Sequence, residues 1–126
     1  MSATREATAA NVKPLPGSKR RRYVCGATVA AGEVVSLSSD GYIDPSDTTS
    51  AADEAIGVAI QGGLTTNTID VVVLGPVICM TAATIGNTIF NSATAGEFGE
   101  SASANNTAIG YAESATVLFV LPEHLA

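Results

Sequence analysis

The sequence predicts an all-β protein: a small β-barrel or sandwich built from two similar β-meanders, with an extended N-terminal arm. Three observations point there. Val and Ile together number 20 against seven Leu, and β-branched side chains suit a pleated surface better than a helix. Short apolar runs alternate with clusters of Gly, Asp, Ser and Thr, and no window of eleven or more residues carries a 3.6-residue period. One block of sequence also recurs. Residues 27–37 match residues 81–91, with Gly32 over Gly86. Each copy continues through a turn glycine before an aromatic, Gly41-Tyr42 and Gly96-Glu97-Phe98, into Ile-Gly-x-Ala at Ile56–Ala59 and Ile109–Ala112.

Strands are expected near 23–29, 33–37, 42–43, 55–60, 69–74, 77–80, 88–91, 108–112 and 116–121. Turn chemistry separates them at Ala31-Gly32, Ser39-Asp40-Gly41, Asp44-Pro45-Ser46-Asp47, Gly62-Gly63, Gly75-Pro76 and Ala95-Gly96. Ser50 to Ala55 reads as a single helical turn capped by Ser50. The repeat spans about 27–76 and 81–122, each copy closing on an apolar strand that ends near Pro76 or Pro122. Two copies are too few for a solenoid, so two meanders facing one another around one core are expected. The glycine of each Ile-Gly-x-Ala marks a bulge or a close backbone approach.

With 126 residues the chain is sized for one domain. Its longest apolar stretch, 71–80, is interrupted by Gly75-Pro76 and is short of a membrane span. No apolar stretch stands behind the N-terminal charges, so a secretory leader is not expected.

Charge divides the chain. All six cations, Arg5, Lys13, Lys19, Arg20, Arg21 and Arg22, lie within residues 1–22, and eleven of the twelve acids lie beyond them. The first part carries a net charge of +5 and residues 23–126 carry −11. Residues 1–22 therefore read as a basic arm and 23–126 as a β-rich body that has no Lys or Arg of its own. The body's carboxylates must face water, cap backbone N–H groups, or meet the arm or a partner. Three readings of the arm compete: a nucleic-acid contact, a solvated tail, and an extended strap over an acidic surface. The last is preferred. The cationic cluster is short, lacks interleaved aromatics and sits on an acidic protein, while Pro14 and Pro16 favour extension. Lys13, Lys19, Arg20, Arg21 and Arg22 are thus the candidate partner-binding residues, with neither direct nucleic-acid binding nor a membrane expected.

Catalytic, cofactor and metal sites are not expected. The single His, His124, lies third from the end and lacks the rigid support that a triad or metal site requires. Cys25 and Cys79 stand in separate apolar strands without a CxxC pair and read as buried free thiols, a disulfide remaining open if the strands are neighbours. Asp40, Asp44, Asp47, Asp53 and Glu54 cluster, but their spacing does not suit a calcium loop, and turn and solvation duty explains them more simply. Gly-rich phosphate loops and a GxSxG elbow are absent. Asn105-Asn106-Thr107 is a formal glycosylation sequon in a chain with no sign of secretion. A carbohydrate-binding module would have few stacking platforms, because there is no Trp and only Tyr23, Tyr42 and Tyr111 carry hydroxylated rings.

From about Val24 to Pro122 the chain resembles the capsid decoration, or cement, proteins of tailed bacteriophages. The resemblance is carried by Ala30-Ala31-Gly32-Glu33-Val34-Val35 running into Gly41-Tyr42, by Ile56-Gly57-Val58-Ala59, by residues 88–96, by Ile109-Gly110-Tyr111-Ala112 and by the closing strand 116–120. It implies a non-enzymatic β-rich virion protein on the outer surface of the head, made in the host cytoplasm. It further implies a homotrimer that binds the major capsid protein and ties its subunits together. A head-fibre or tail-associated structural protein is the alternative.

Overall fold

The computed structural model describes residues 3–48, 54–101 and 106–122. Along the chain run β1 (Thr4–Arg5), a 3₁₀ turn (Ala9–Asn11), β2 (Lys13–Pro14), β3 (Lys19–Val24), β4 (Val34–Leu37), β5 (Ile43–Pro45) and β6 (Ala55–Ala59). There follow β7 (Thr68–Ile78), β8 (Met80–Thr81), β9 (Thr88–Asn91), β10 (Phe98–Gly99), β11 (Ala108–Ala112) and β12 (Val117–Val120). The molecule is all-β, as the composition predicts: one antiparallel sheet curls into a half-barrel. Its strands run β10-β9-β11-β12-β7-β6-β4-β5, with β2 and β3 also paired to β7 and a separate β1–β8 pair.

The sequence repeat is a structural duplication. The first unit lies in the order β5-β4-β6-β7 and the second in the order β10-β9-β11-β12. Registers agree pair by pair. Val35 faces Gly57 and then Ser36 faces Ala55, across a bulge; Ile89 faces Gly110 and Phe90 faces Ala108, across the equivalent bulge. Turn hydrogen bonds repeat too: Gly32 N–H to Ala59 O (2.7 Å) and Ala59 N–H to Glu33 O (2.9 Å) correspond to Gly86 N–H to Ala112 O (2.8 Å) and Ala112 N–H to Asn87 O (3.0 Å). Both Ile-Gly-x-Ala glycines sit where a backbone approaches closely: a Cβ on Gly57 would overlap the Val72 carbonyl oxygen, and one on Gly110 the Phe119 carbonyl oxygen.

The two units do not face one another symmetrically. Val35, Ile43, Ala59 and Val71 of the first unit pack with Cys25, Val29 and Ile69 in a smaller core. Their counterparts Ile89, Phe98, Ala112 and Leu118 lie in the larger core, against the reverse face of the first unit, Val34, Val58 and Val72. One unit is stacked on the back of the other. Asn91 bonds across the junction, its Nδ2–H₂ donating to Ser46 Oγ (2.9 Å) and to Asp47 O (3.2 Å) while its Oδ1 accepts from Thr107 N–H (2.7 Å). A buried amide satisfied on both ends fixes the seat of one unit on the other.

Two sequence expectations need correction. Gly75-Pro76 does not separate two strands; β7 runs straight through it. Gly75 adopts φ +106° and lies so close to residue 18 that a Cβ would stand 2.7 Å from the Ser18 Cα. There the alternation slips by one: Ile69 and Val71 serve the smaller core, whereas past the glycine Val77 and Cys79 serve the larger. The ladder to β3 is bulged just before it, Lys19 facing Leu74 and Arg20 facing Val72, and the positive-φ glycine follows that bulge where the strand's faces turn over. Pro45 likewise lies in β5 rather than in a turn. The helical turn expected over 50–55 lies outside the described residues apart from Glu54 and Ala55, and Ala55 opens β6.

The residues read as an N-terminal arm pair with the body. Residues 3–22 are extended apart from the 3₁₀ turn at Ala9–Asn11 and a turn at Pro16-Gly17, and they are part of the fold. β1 pairs with β8, β2 with the C-terminal half of β7 and β3 with its N-terminal half. Ala3 and Val12 lie in the larger core. Pro14 lies in β2 opposite Val77, whereas Pro16 stands with Gly17 in a turn closed by Ser18 N–H to Leu15 O (3.2 Å), and pairing rather than solvation is what holds the segment.

Candidate partner-binding surface

β3 is an edge strand. Lys19 to Val24 pair with Leu74 to Thr68 on one side, and among the described residues no strand pairs with the other side. Lys19, Arg20, Arg21 and Arg22 are all exposed. Alternation puts Arg20 and Arg22 on one face and Arg21 and Tyr23 on the other. Arg21 extends over the Tyr23 ring, its guanidinium carbon 6.0 Å from the centroid. Arg22 lies 3.7 Å from Asp70, its side chain 66% exposed, so the pair adds little stability and leaves the cation accessible. The sequence-predicted cluster is therefore brought together on one rigid strand. Lys13 stands apart on β2, exposed, beside Ile78.

A functional cation that sequence reasoning passes over is Arg5. Its Nε donates to Glu97 at 2.9 Å and its Nη1 to Ala31 O at 3.2 Å, with both partners of the ion pair mostly covered. It fastens β1 to the second unit. Nothing local marks it, since the partner acid is 92 positions away.

The carboxylates do what an almost cation-free body leaves them to do. Glu33 accepts from Ala30 N–H (2.8 Å), Asp40 from Tyr42 N–H (3.0 Å) and Asp44 from the Ser38 hydroxyl. Glu97 and Asp70 meet Arg5 and Arg22 from the first 22 residues. Glu100 accepts from Thr84 N–H (3.2 Å) and Asn87 Nδ2 (3.1 Å). Desolvation pushes its carboxyl up, but the Thr84 and Asn87 hydrogen bonds, with a further one from the Ala3 backbone, outweigh it and hold the group below its ordinary value of 4.5. A depressed folded-state value contributes stability above the ordinary carboxyl range that is lost as pH falls through the depressed one. Glu100→Gln should therefore flatten the fall in stability below pH 4.5. Urea midpoints collected down a pH series check this, and an unchanged slope in the variant would assign the acid sensitivity to other groups.

Cys25 and Cys79 are both buried and free and lie in different cores, Cys25 in the smaller and Cys79 in the larger. Burial pushes both thiols up, strongly for Cys79; for Cys25 the Asp44 charge adds to it. Neither is poised as a nucleophile. Of the acidic group, Asp40 lies in the turn before β5, Asp44 in β5 and Asp47 after it, with Glu54 preceding β6. Asp53 and His124 lie outside the described residues. Among the described residues no three His, Cys, Asp or Glu side chains are grouped as a metal ion would require, and no helix is long and apolar enough to cross a membrane.

No protein-family model matches the chain, and no curated protein matches it either.

Proposed function

We propose that this chain is a structural capsid decoration protein of a tailed bacteriophage, bound in several copies to the outer surface of the head, where it stabilises contacts between major capsid protein subunits. The observation that carries the reading is the β3 edge: four consecutive exposed cations on a strand paired to β7 on one side and, among the described residues, to no strand on the other, on an otherwise acidic body. Such an edge offers backbone donors and acceptors for strand addition, and its side chains select an acidic extended segment or an acidic patch. Each exposed ion pair contributes only about 0–1 kcal/mol, so tight attachment comes from several contacts and several copies acting together. The duplicated β framework supports the reading as a stiff spacer with small side chains.

Because β3 belongs to the fold, the test is charge replacement rather than removal. The variant Lys19→Glu, Arg20→Glu, Arg21→Glu should keep the native circular dichroism spectrum, since all three side chains are exposed. It should lose cosedimentation with capsids of the source phage, and wild-type binding should weaken steeply between low and high salt. A basic edge also discourages edge-to-edge aggregation. If the variant binds capsids normally but aggregates, that protective role is the whole explanation and the proposal fails. Gold-labelled protein confined to virion tails would favour the tail-associated alternative.

A further inference from the structure

The duplication exposes a face that its own counterpart buries. In the first unit the row Val34–Val58–Val72 is covered by the second unit. The equivalent row of the second unit is Thr88–Tyr111–Phe119, which continues across β12 to Pro76 of β7. Nothing lies over it among the described residues: Thr88 is exposed and Tyr111 is 40% exposed. Tyr111 and Phe119 stack with their ring centroids 5.3 Å apart and planes 16° from parallel. The adjacent row is set by the same ladders. Glu113 N–H donates to Val117 O at 2.9 Å, Val117 faces Ile78 and Ile78 faces Lys13. It reads acid, apolar, apolar, base, with both charged ends exposed.

We propose that this face pairs with the same face of a second copy, around a two-fold axis running along the strands. That axis reverses the row end for end, so Lys13 of each copy meets Glu113 of the other, and it lays Tyr111 and Phe119 of one copy against the apolar row of the other. The ends of the row are three strand spacings apart, roughly 14 Å, and sheets packed face to face with nearly aligned strands sit about 10 Å apart. Long Lys and Glu side chains at the rim span that gap. The interface is isologous and closed, which gives a dimer rather than a chain of subunits. A head-to-tail alternative is blocked, because the matching front face of the first unit is already covered by Cys25 and Val29. The symmetry is two-fold, where the decoration-protein resemblance implies three-fold, and the inference does not depend on capsid binding.

Sedimentation velocity of the full chain over a concentration series tests it without any capsid present. The expected result is a monomer–dimer equilibrium. Lys13→Glu or Glu113→Lys alone places like charges together twice and should weaken the dimer at least about tenfold; the double reversal should restore it. Both residues are exposed, so each variant should unfold at the wild-type urea concentration when measured at a protein concentration low enough for the wild type to be monomeric. A strict monomer, a trimer, or a dimer indifferent to the reversals would overturn the proposal.

Discussion

Removing residues 1–22 should abolish cooperative folding. Val12 and Ala3 leave the larger core, and a buried Val contributes roughly 1.5 kcal/mol or more. The ladder from Lys19–Leu74 to Arg22–Asp70, most of β3, is lost, as are the β2 pairing, the Leu15 N–H to Pro76 O bond (3.0 Å) and the Arg5–Glu97 clamp. Each hydrogen bond contributes about 1 kcal/mol net. The total is comparable to the 5–15 kcal/mol, or thereabouts, that holds a domain of this size together. The truncated protein should give no sigmoidal urea transition. Graded variants separate the causes: Val12→Ala should lower stability by about 1–2 kcal/mol through the cavity it leaves, and Arg5→Ala by about 1 kcal/mol. A truncated chain that unfolds with the wild-type midpoint would return residues 1–22 to the status of a detachable arm.

That outcome was not legible in the sequence, for a physical reason. A strand signals itself by alternation only when one of its faces is buried. Lys19-Arg20-Arg21-Arg22 forms an edge with both faces in water, so its pattern is that of a tail. β1 and β2 are two residues each, and their partners Met80 and Val77 lie far along the chain. By contrast, 88–91 and 108–112 emerge as β9 and β11 with the predicted bounds, because each is a short apolar run with a buried row, set between Gly86 and Gly96 in one case and between polar residues in the other. The repeat was legible because its registers require glycine at fixed places. Only its closing strand is misjudged. Superposing Pro76 on Pro122 sets the copies one residue out of step, whereas the ladders place Val71 with Leu118, each facing the Ala of its Ile-Gly-x-Ala motif. Gly75-Pro76 misleads for a related reason: a glycine able to take positive φ serves a bulge as readily as a turn. The cationic cluster could be found by composition, but that it lies on an unpaired sheet edge, and that Arg5 is withdrawn from it to clamp β1, are properties of non-local pairing.

The pair of motif glycines gives the sharpest test of the duplication. At Gly57 a Cβ would overlap the Val72 carbonyl oxygen and press on the Val71 side chain at 2.8 Å; at Gly110 it would overlap the Phe119 carbonyl oxygen. In both cases the obstacle is backbone within the ladder to the next strand, which cannot rotate away as a side chain could. Gly57→Ala and Gly110→Ala should each cost about 3 kcal/mol or more, at or above the upper end of what overpacking a core costs. Gly86 and Gly41 separate crowding from conformation. Both have φ +86° with nothing within 4 Å of a Cβ, so Ala there meets only left-handed strain, about 1–2 kcal/mol. Gly99 has neither positive φ nor a contact closer than 3.6 Å, and Gly99→Ala should be nearly neutral. Urea midpoints across the five variants should fall into three groups in that order. Similar losses at Gly57 and Gly86 would mean that the close approach beneath the motif is not what the glycine is for.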